Sequence, residues 1–251
     1  MNTYKTSEVA KIIGIHPNTV RFYEQWGLIP SPHRKPNGYR VFTEFHIDQL
    51  KLARTAFKVE VVQNGLRKKI VEAVKTSADG NFDKALILAT EYYNDINKEK
   101  HNAEEAIQIT KDILKGNTLS DNHGLRRKEV SEYLNISMDT LRNWELNGLL
   151  SVKRKENGYR FYTDKDIQQL KIIRSLRCAN YSLEAILRMI NALSSNPETN
   201  IREVLNTPSR DTDIISVCDK LIISLQEAGK NAESMIKLLK KMKNKYSNPP
   251  Y

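Results

Sequence analysis

The chain has 251 residues, 39% of them hydrophobic, a length that suits two ordinary domains built on small helical cores. Two cysteines are too few for a disulfide framework, no run approaches the ~18 apolar residues of a membrane span, and MNTYKTSEVAK has no signal-peptide core, so a cytoplasmic protein is predicted. The net charge is +10: residues 1–58 carry nine Lys/Arg against four Asp/Glu, residues 125–178 carry twelve against seven, and everything else sums to zero. Two basic regions of +5 each predict a polyanionic partner, because cations that neutralise phosphates release condensed counterions.

From the N-terminus, Thr6 is the predicted N-cap of a short helix with Val9, Ala10, Ile12 and Ile13 on one face, and Gly14 breaks it. His16-Pro17 opens a second helix, with proline where its missing N–H costs least, and Gly27 ends it after Trp26. Two short helices joined by a tight turn predict a helix-turn-helix whose second helix fits the major groove. Asn37-Gly38, between Arg34-Lys35 and Tyr39-Arg40, predicts a basic two-stranded wing, since both turn residues tolerate positive φ. Thr43 then caps a third helix. Further on, Leu86, Ala89, Tyr93, Ile96, Ala103, Ile107, Thr110 and Leu114 recur in steps of three and four, with Lys100 interrupting the seam.

The module is then written again, about 120 residues later. Thr19 matches Thr140, Arg21 matches Arg142, Glu24 matches Glu145, and Gly27-Leu28 matches Gly148-Leu149. After a one-residue slip, Arg34-Lys35 matches Arg154-Lys155 and Asn37-Gly38-Tyr39-Arg40 matches Asn157-Gly158-Tyr159-Arg160. Asn135 takes the turn, Ser137 the N-cap, Gly148 the stop, and Thr163 caps a third helix with Asp164 and Asp166 in its first turn. A repeated fold alone would keep the apolar positions; this repeat also keeps cations and a turn, which points to phosphate binding. A second long seam follows: Ile214, Cys218, Leu221, Leu225, Ala228, Ala232, Met235, Leu239, Met242 and Tyr246, spaced as a coiled coil. Each long helix spans about 34 residues and about 50 Å. The expected division is a head at 1–80, a pairing helix at 81–116, a linker at 117–124, a head at 125–208 and a coiled-coil helix at 209–246.

Both modules resemble the DNA-binding domain of the MerR family of bacterial transcription regulators, through RFYEQWGLI and NGYR in the first and LRNWELNGLL, NGYRFYTDKDIQQLKIIRSLR and NYSLEAI in the second. The second departs at Asn143-Trp144, where the family has an aromatic pair before Glu; the first replaces the SLEAI start of the fourth helix with VEVVQNGLRKKI. The resemblance implies a mainly α fold with two winged helix-turn-helix heads, each followed by a long coiled-coil-type helix. It implies phosphate contacts from Arg21, Tyr23, Arg34, Lys35, Tyr39 and Arg40, and from Arg142, Arg154, Lys155, Tyr159 and Arg160. Base reading falls to His16, Asn18 and Thr19, and to Ser137, Met138, Asp139 and Thr140. Packing accounts for Tyr39 and Tyr159 as well as phosphate contact does, and Thr19, Thr140, Leu28 and Leu149 also suit structural roles.

The expected partner is double-stranded DNA, in a cytoplasmic, nucleoid-associated protein. No cofactor and no membrane are expected, and no nucleophile–base pair or phosphate loop suggests an enzyme. The resemblance raises a contact with RNA polymerase and leaves a small-molecule inducer open. The long helices either pair within the chain, as a single-chain pseudo-dimer, or pair with a second chain in a homodimer. Cys178 and Cys218 read as core packing, and the terminal lysines (Lys237 to Lys245) as a solvated face. The rival reading is an architectural DNA-binding protein for chromosome organisation or recombination.

Overall fold

The computed structural model describes residues 2–58, 65–114, 124–152, 159–195 and 214–246. Residues 117–123 of the expected linker and the predicted Arg154 and Lys155 lie outside them, while Gly124, expected to end the linker, opens a strand of the second head. The fold is mainly helical. The first head contains β1 (Thr3–Tyr4), α1 (Thr6–Ile13), α2 (Pro17–Gln25), β2 (His33–Arg34), β3 (Arg40–Thr43), α3 (Glu44–Ala56) and α4 (Leu66–Ala78). The long α5 (Phe82–Leu114) follows. The second head has β4 (Gly124–Arg126), α6 (Arg127–Leu134), α7 (Met138–Leu146), β5 (Phe161–Thr163), α8 (Asp164–Cys178) and α9 (Leu183–Ser195), and α10 (Ile214–Tyr246) comes after it.

The chain divides into two compact units, Met1–Asn97 with Ser224–Tyr251, and Lys98–Ile223. Each unit therefore holds one head and part of each long helix.

In the first unit, Val9, Val20, Ile29, Phe42 and Leu50 bury their side chains at the centre of the head. β3 lies between β1 and β2 in an antiparallel sheet, with Thr3 opposite Thr43 and Arg34 opposite Arg40. Thr6 is the first helical residue rather than the cap: the Lys5 N–H instead donates to the Glu8 carboxylate at 2.7 Å. Thr43 does precede α3, where its N–H donates to His46 Nδ1 at 3.1 Å. Burial holds that imidazole below its ordinary pKa, keeping it neutral and able to accept. The buried Gln49 amide donates to the Leu28 carbonyl at 3.0 Å and the Val74 carbonyl at 2.8 Å, tying the end of α2 to α3 and α4. The start of α5 and the end of α10 close the unit. Tyr93 donates to Glu233 at 2.9 Å, Lys243 pairs with Asp83, and Lys245 pairs with Glu44 at 2.9 Å and Asp48 at 3.0 Å. These two lysines are engaged rather than part of a solvated face.

In the second unit, Gln169 repeats the bond of Gln49, donating to the Leu149 carbonyl at 2.7 Å. Leu28 and Leu149 are buried, which fits the structural role considered for them. Ala106, Ile107 and Ile109 of α5 pack with Val217 and Cys218 of α10 against the head's core. Cys178 ends α8 and is buried, and burial pushes its thiol up to about 12. Arg174 of α8 and Glu99 of α5, both nearly inaccessible, form a two-pronged ion pair at 2.8 and 2.5 Å.

Both long helices have 33 residues, close to expectation. Along α10 the predicted seam is buried from Cys218 to Met242; the side chain of Ile214 lies outside the described residues. Along α5 the buried stripe is rotated from the predicted one. Ala85, Tyr92 and Glu99 are inside with Ala89, Ile96 and Ala103, while Leu86 and Tyr93 are only half-buried. The polar interruption is thus Glu99, and Lys100 turns toward Glu104 at 3.7 Å. Among the described residues no helix is long and apolar enough to cross a membrane.

The buried pair sets a stability test. Glu99→Leu leaves an unpaired guanidinium inside and is expected to cost about 3–5 kcal/mol, whereas Glu99→Leu with Arg174→Met is expected to be near neutral. Urea unfolding measures both, and equal losses would show that the charges do not act as a pair.

Candidate nucleic-acid interface

The second helix of the first head begins at Pro17, with His16 as its N-cap: His16 Nδ1 accepts from the Asn18 N–H at 3.2 Å. Asn18 Oδ1 in turn accepts from Arg21 Nη1 at 3.2 Å, so the exposed guanidinium is steered one turn along the helix. The wing turn forms as the sequence predicts. The Lys35 N–H donates to the Tyr39 carbonyl at 2.9 Å, and the Gly38 N–H to the Lys35 carbonyl at 2.8 Å. Gly38 has φ +81°, which a side chain would strain. The wing is fastened to the helix by one carboxylate. Glu24 of α2 accepts from Arg40 Nε at 2.6 Å, and Arg34 lies 3.8 Å from its other oxygen. Among the described residues Arg40 is engaged through Nε alone, leaving its two terminal nitrogens for another acceptor.

Between the start of α1, the second helix and the wing lies a cleft of about 850 Å³. Arg21, Lys35, Tyr39 and Arg40, all expected at phosphates, line it together with Lys5 and Thr6. Tyr39 is 70% exposed, so packing does not account for it. Tyr23 is half-buried against the core, a packing position, and Thr19 is also half-buried.

The described residues of the second head repeat the helix cap and the carboxylate; its Asn157-Gly158 turn lies outside them. Ser137 caps α7, its hydroxyl accepting from the Thr140 N–H at 3.0 Å and lying 2.8 Å from the Thr140 hydroxyl. Met138, Asp139 and Arg142 are exposed, as is Tyr159 at 71%. Trp144, matched to Tyr23, is buried. Glu145 is the matching carboxylate with more partners: Arg160 Nε at 2.7 Å, Arg127 Nη2 at 2.6 Å and the Tyr162 hydroxyl. Burial, and then the bond to Glu145, push the Tyr162 phenol up to about 12.

Sequence reasoning missed Glu24 and Glu145 as organising residues, although their recurrence with the wing arginine was visible. It also missed Arg127, whose matched position is Thr6, and the cleft-lining Lys5. The heads differ on the exposed side of the second helix. Phe22 and Trp26 lie with ring centroids 6.0 Å apart and are about half exposed, where the second head has Asn143 and Asn147.

Comparison with known proteins bears on this geometry. Residues 5–42 match the model of the MerR family regulatory protein, and residues 125–193 match that of the MerR HTH family regulatory protein. The HTH-type transcriptional regulator CueR of Escherichia coli O157:H7 is 47% identical over 53 residues, 21% of this chain and 39% of the relative. CueR of Yersinia pestis is 34% identical over 97 residues, 37% of this chain and 70% of the relative. The mercuric resistance operon regulatory protein of Bacillus cereus is 31% identical over 65 residues, 26% of this chain and 49% of the relative. The chain thus spans about two fifths of the E. coli relative it matches. No solved structure matches it.

The carboxylate fastening is testable. Glu24→Ala should speed amide exchange at Lys35 and Gly38 by roughly tenfold, the effect of ~1.4 kcal/mol of lost local stability, with the amides of α2 unchanged. Tyr162→Phe should cost the second head about 1 kcal/mol in urea unfolding. Unchanged wing exchange in the first variant would show that Glu24 does not hold the wing.

Proposed function

Since the chain belongs to the MerR family of regulatory proteins, we propose that it is a sequence-specific transcription regulator of double-stranded DNA with two reading heads in each chain. The observation that carries this reading is the first head's cleft, where Arg21 of the second helix meets Lys35, Tyr39 and Arg40 of the wing. A phosphodiester there would receive charge-assisted bonds from two directions, fixing the helix in register. Arg34 joins this group from the wing strand. In the second head Arg142, Tyr159 and Arg160 take the matching roles, and phosphate contacts are proposed for Arg154 and Lys155 from their match to Arg34 and Lys35.

Base reading follows from what the caps leave exposed. In the first head His16 and Asn18 spend one acceptor each on the cap and on Arg21, which leaves the imidazole Nε2 and the Asn18 amide N–H for base edges. Thr19 stands beside them. In the second head Ser137 and Thr140 satisfy each other, so Met138 and Asp139 do the reading. Asn18 suits adenine, whereas the Asp139 carboxylate suits the amino group of cytosine. The target would therefore have two unlike halves, read by regions 1–80 and 125–208.

Pairing of α5 with α10 inside each unit supports a chain that works as a single-chain pseudo-dimer in the cytoplasm, without a twin. A contact with RNA polymerase, and any inducer, would act on this one-chain assembly.

Selection of sites from random DNA should return an asymmetric sequence, and light scattering should return the mass of one chain, 28.9 kDa. A perfect palindrome bound by two chains would overturn the single-chain reading. Arg21→Ala and Arg142→Ala should each weaken specific and random DNA alike and reduce the salt slope by about one. Lost sequence preference at an unchanged slope would instead make these residues base readers.

A further inference from the structure

We propose that the second unit carries a small-molecule site, between α5, α6 and α8, for an amphipathic anion: a carboxylate or phosphate ester with an apolar body. Two adjoining cavities make it. The smaller, about 160 Å³, is polar, lined by Lys98, Asn102, Glu105, Lys171 and Arg174 with Tyr133. The larger, about 490 Å³, shares Glu105, Tyr133 and Lys171 and adds Ile109, Leu125 and Ile167, with Asp164 and Gln168 also in its lining. Together they fall within the roughly 300–1,000 Å³ of small-molecule pockets.

The charge pattern chooses the ligand. Three cations line the smaller cavity against the single carboxylate of Glu105, while Glu99 is held behind by Arg174. Lys171 spans the two cavities, with its ammonium 2.7 Å from Glu105 and 5.0 Å from the centre of the Tyr133 ring. Lys98 is exposed. Arg174 Nε is a buried N–H without a partner among the described residues. An anionic head would sit between Lys98 and Lys171, and Glu105, already 37% exposed at its side chain, would turn to solvent. A planar or aliphatic body would lie past Tyr133 against Ile109, Leu125 and Ile167. The first head shows that the fold does not demand these cations. In the matched stretches LKLAR and LKIIR, Lys51 and Arg54 are exposed, whereas Lys171 and Arg174 are turned onto α5. Because the Lys171–Glu105 pair ties α8 to α5, a bound anion exchanges one tie of the second head for another. The site stands whether or not the DNA reading does.

Isothermal titration of the full chain with phenyl phosphate, benzoate, inorganic phosphate and benzyl alcohol tests it. Phenyl phosphate, benzoate or both should saturate one site, inorganic phosphate should bind about tenfold more weakly or worse, and neutral benzyl alcohol should not bind. Which of the two organic anions binds more tightly identifies the head group. Lys98→Ala with Lys171→Met should weaken the preferred anion by about tenfold or more, and Glu105→Gln, which frees Lys171, should tighten it. The matched Lys51→Met should change nothing. No saturable binding of either organic anion, equal binding of benzyl alcohol, equal binding of inorganic phosphate, or weakening by Glu105→Gln would each overturn the proposal.

Discussion

One carboxylate on each second helix decides how the rest of a head is arranged. Glu24 and Glu145 have side chains only 14% and 7% exposed, too dry for a charge without counter-ions close by. The chain supplies them from Arg40 at the start of β3 and Arg160 just before β5, so in the first head satisfying the carboxylate and positioning the wing are one event. The geometry is economical because the bond uses the guanidinium's inner nitrogen and leaves the outer ones available. In the second head Arg127 and Tyr162 approach the same carboxylate, which adds α6 to the assembly.

The long helices extend the same logic to pairing. In the first unit, acids of the head and of α5 (Glu44, Asp48, Asp83) meet cations at the end of α10. In the second, cations of the head (Lys171, Arg174) meet acids of α5 (Glu105, Glu99). The polarity is reversed between the two, so each contact rejects the other's partner by like charge. Apolar seams alone are promiscuous; the charges along their edges say which helix belongs where.

Much of this was legible in the sequence, for identifiable reasons. The caps of α2, α7 and α8, the wing turn of the first head and the helix lengths follow from local chemistry: a proline at a first position, an Asn-Gly, a seam that stays in phase across α10. What was hidden depends on distant partners. The stripe of α5 could be drawn through Tyr93 and Lys100 or through Tyr92 and Glu99 with little difference in spacing, and only a guanidinium 75 residues away makes Glu99 an inside residue. Lys51 and Lys171 carry the same letters in the same motif, yet one is exposed and the other lies against α5. Nothing in local spacing marks Gln49 and Gln169, yet each donates to a carbonyl just past the second helix of its head. Arg21, Lys35, Tyr39 and Arg40 gather around one cleft of the first head, but the carboxylate that fastens the wing beside it was read only as part of a match.

Having both heads on one polypeptide also changes what drift can do. In a symmetric homodimer every substitution appears twice, so a change that improves one half of a target must also suit the other. Within one chain a substitution falls in one head alone. The two copies already differ in this way: aromatic rings at Phe22 and Trp26 against amides at Asn143 and Asn147, and a threonine at position 6 where the other head has Arg127. Each head keeps the same fold while its exposed side chains follow their own course.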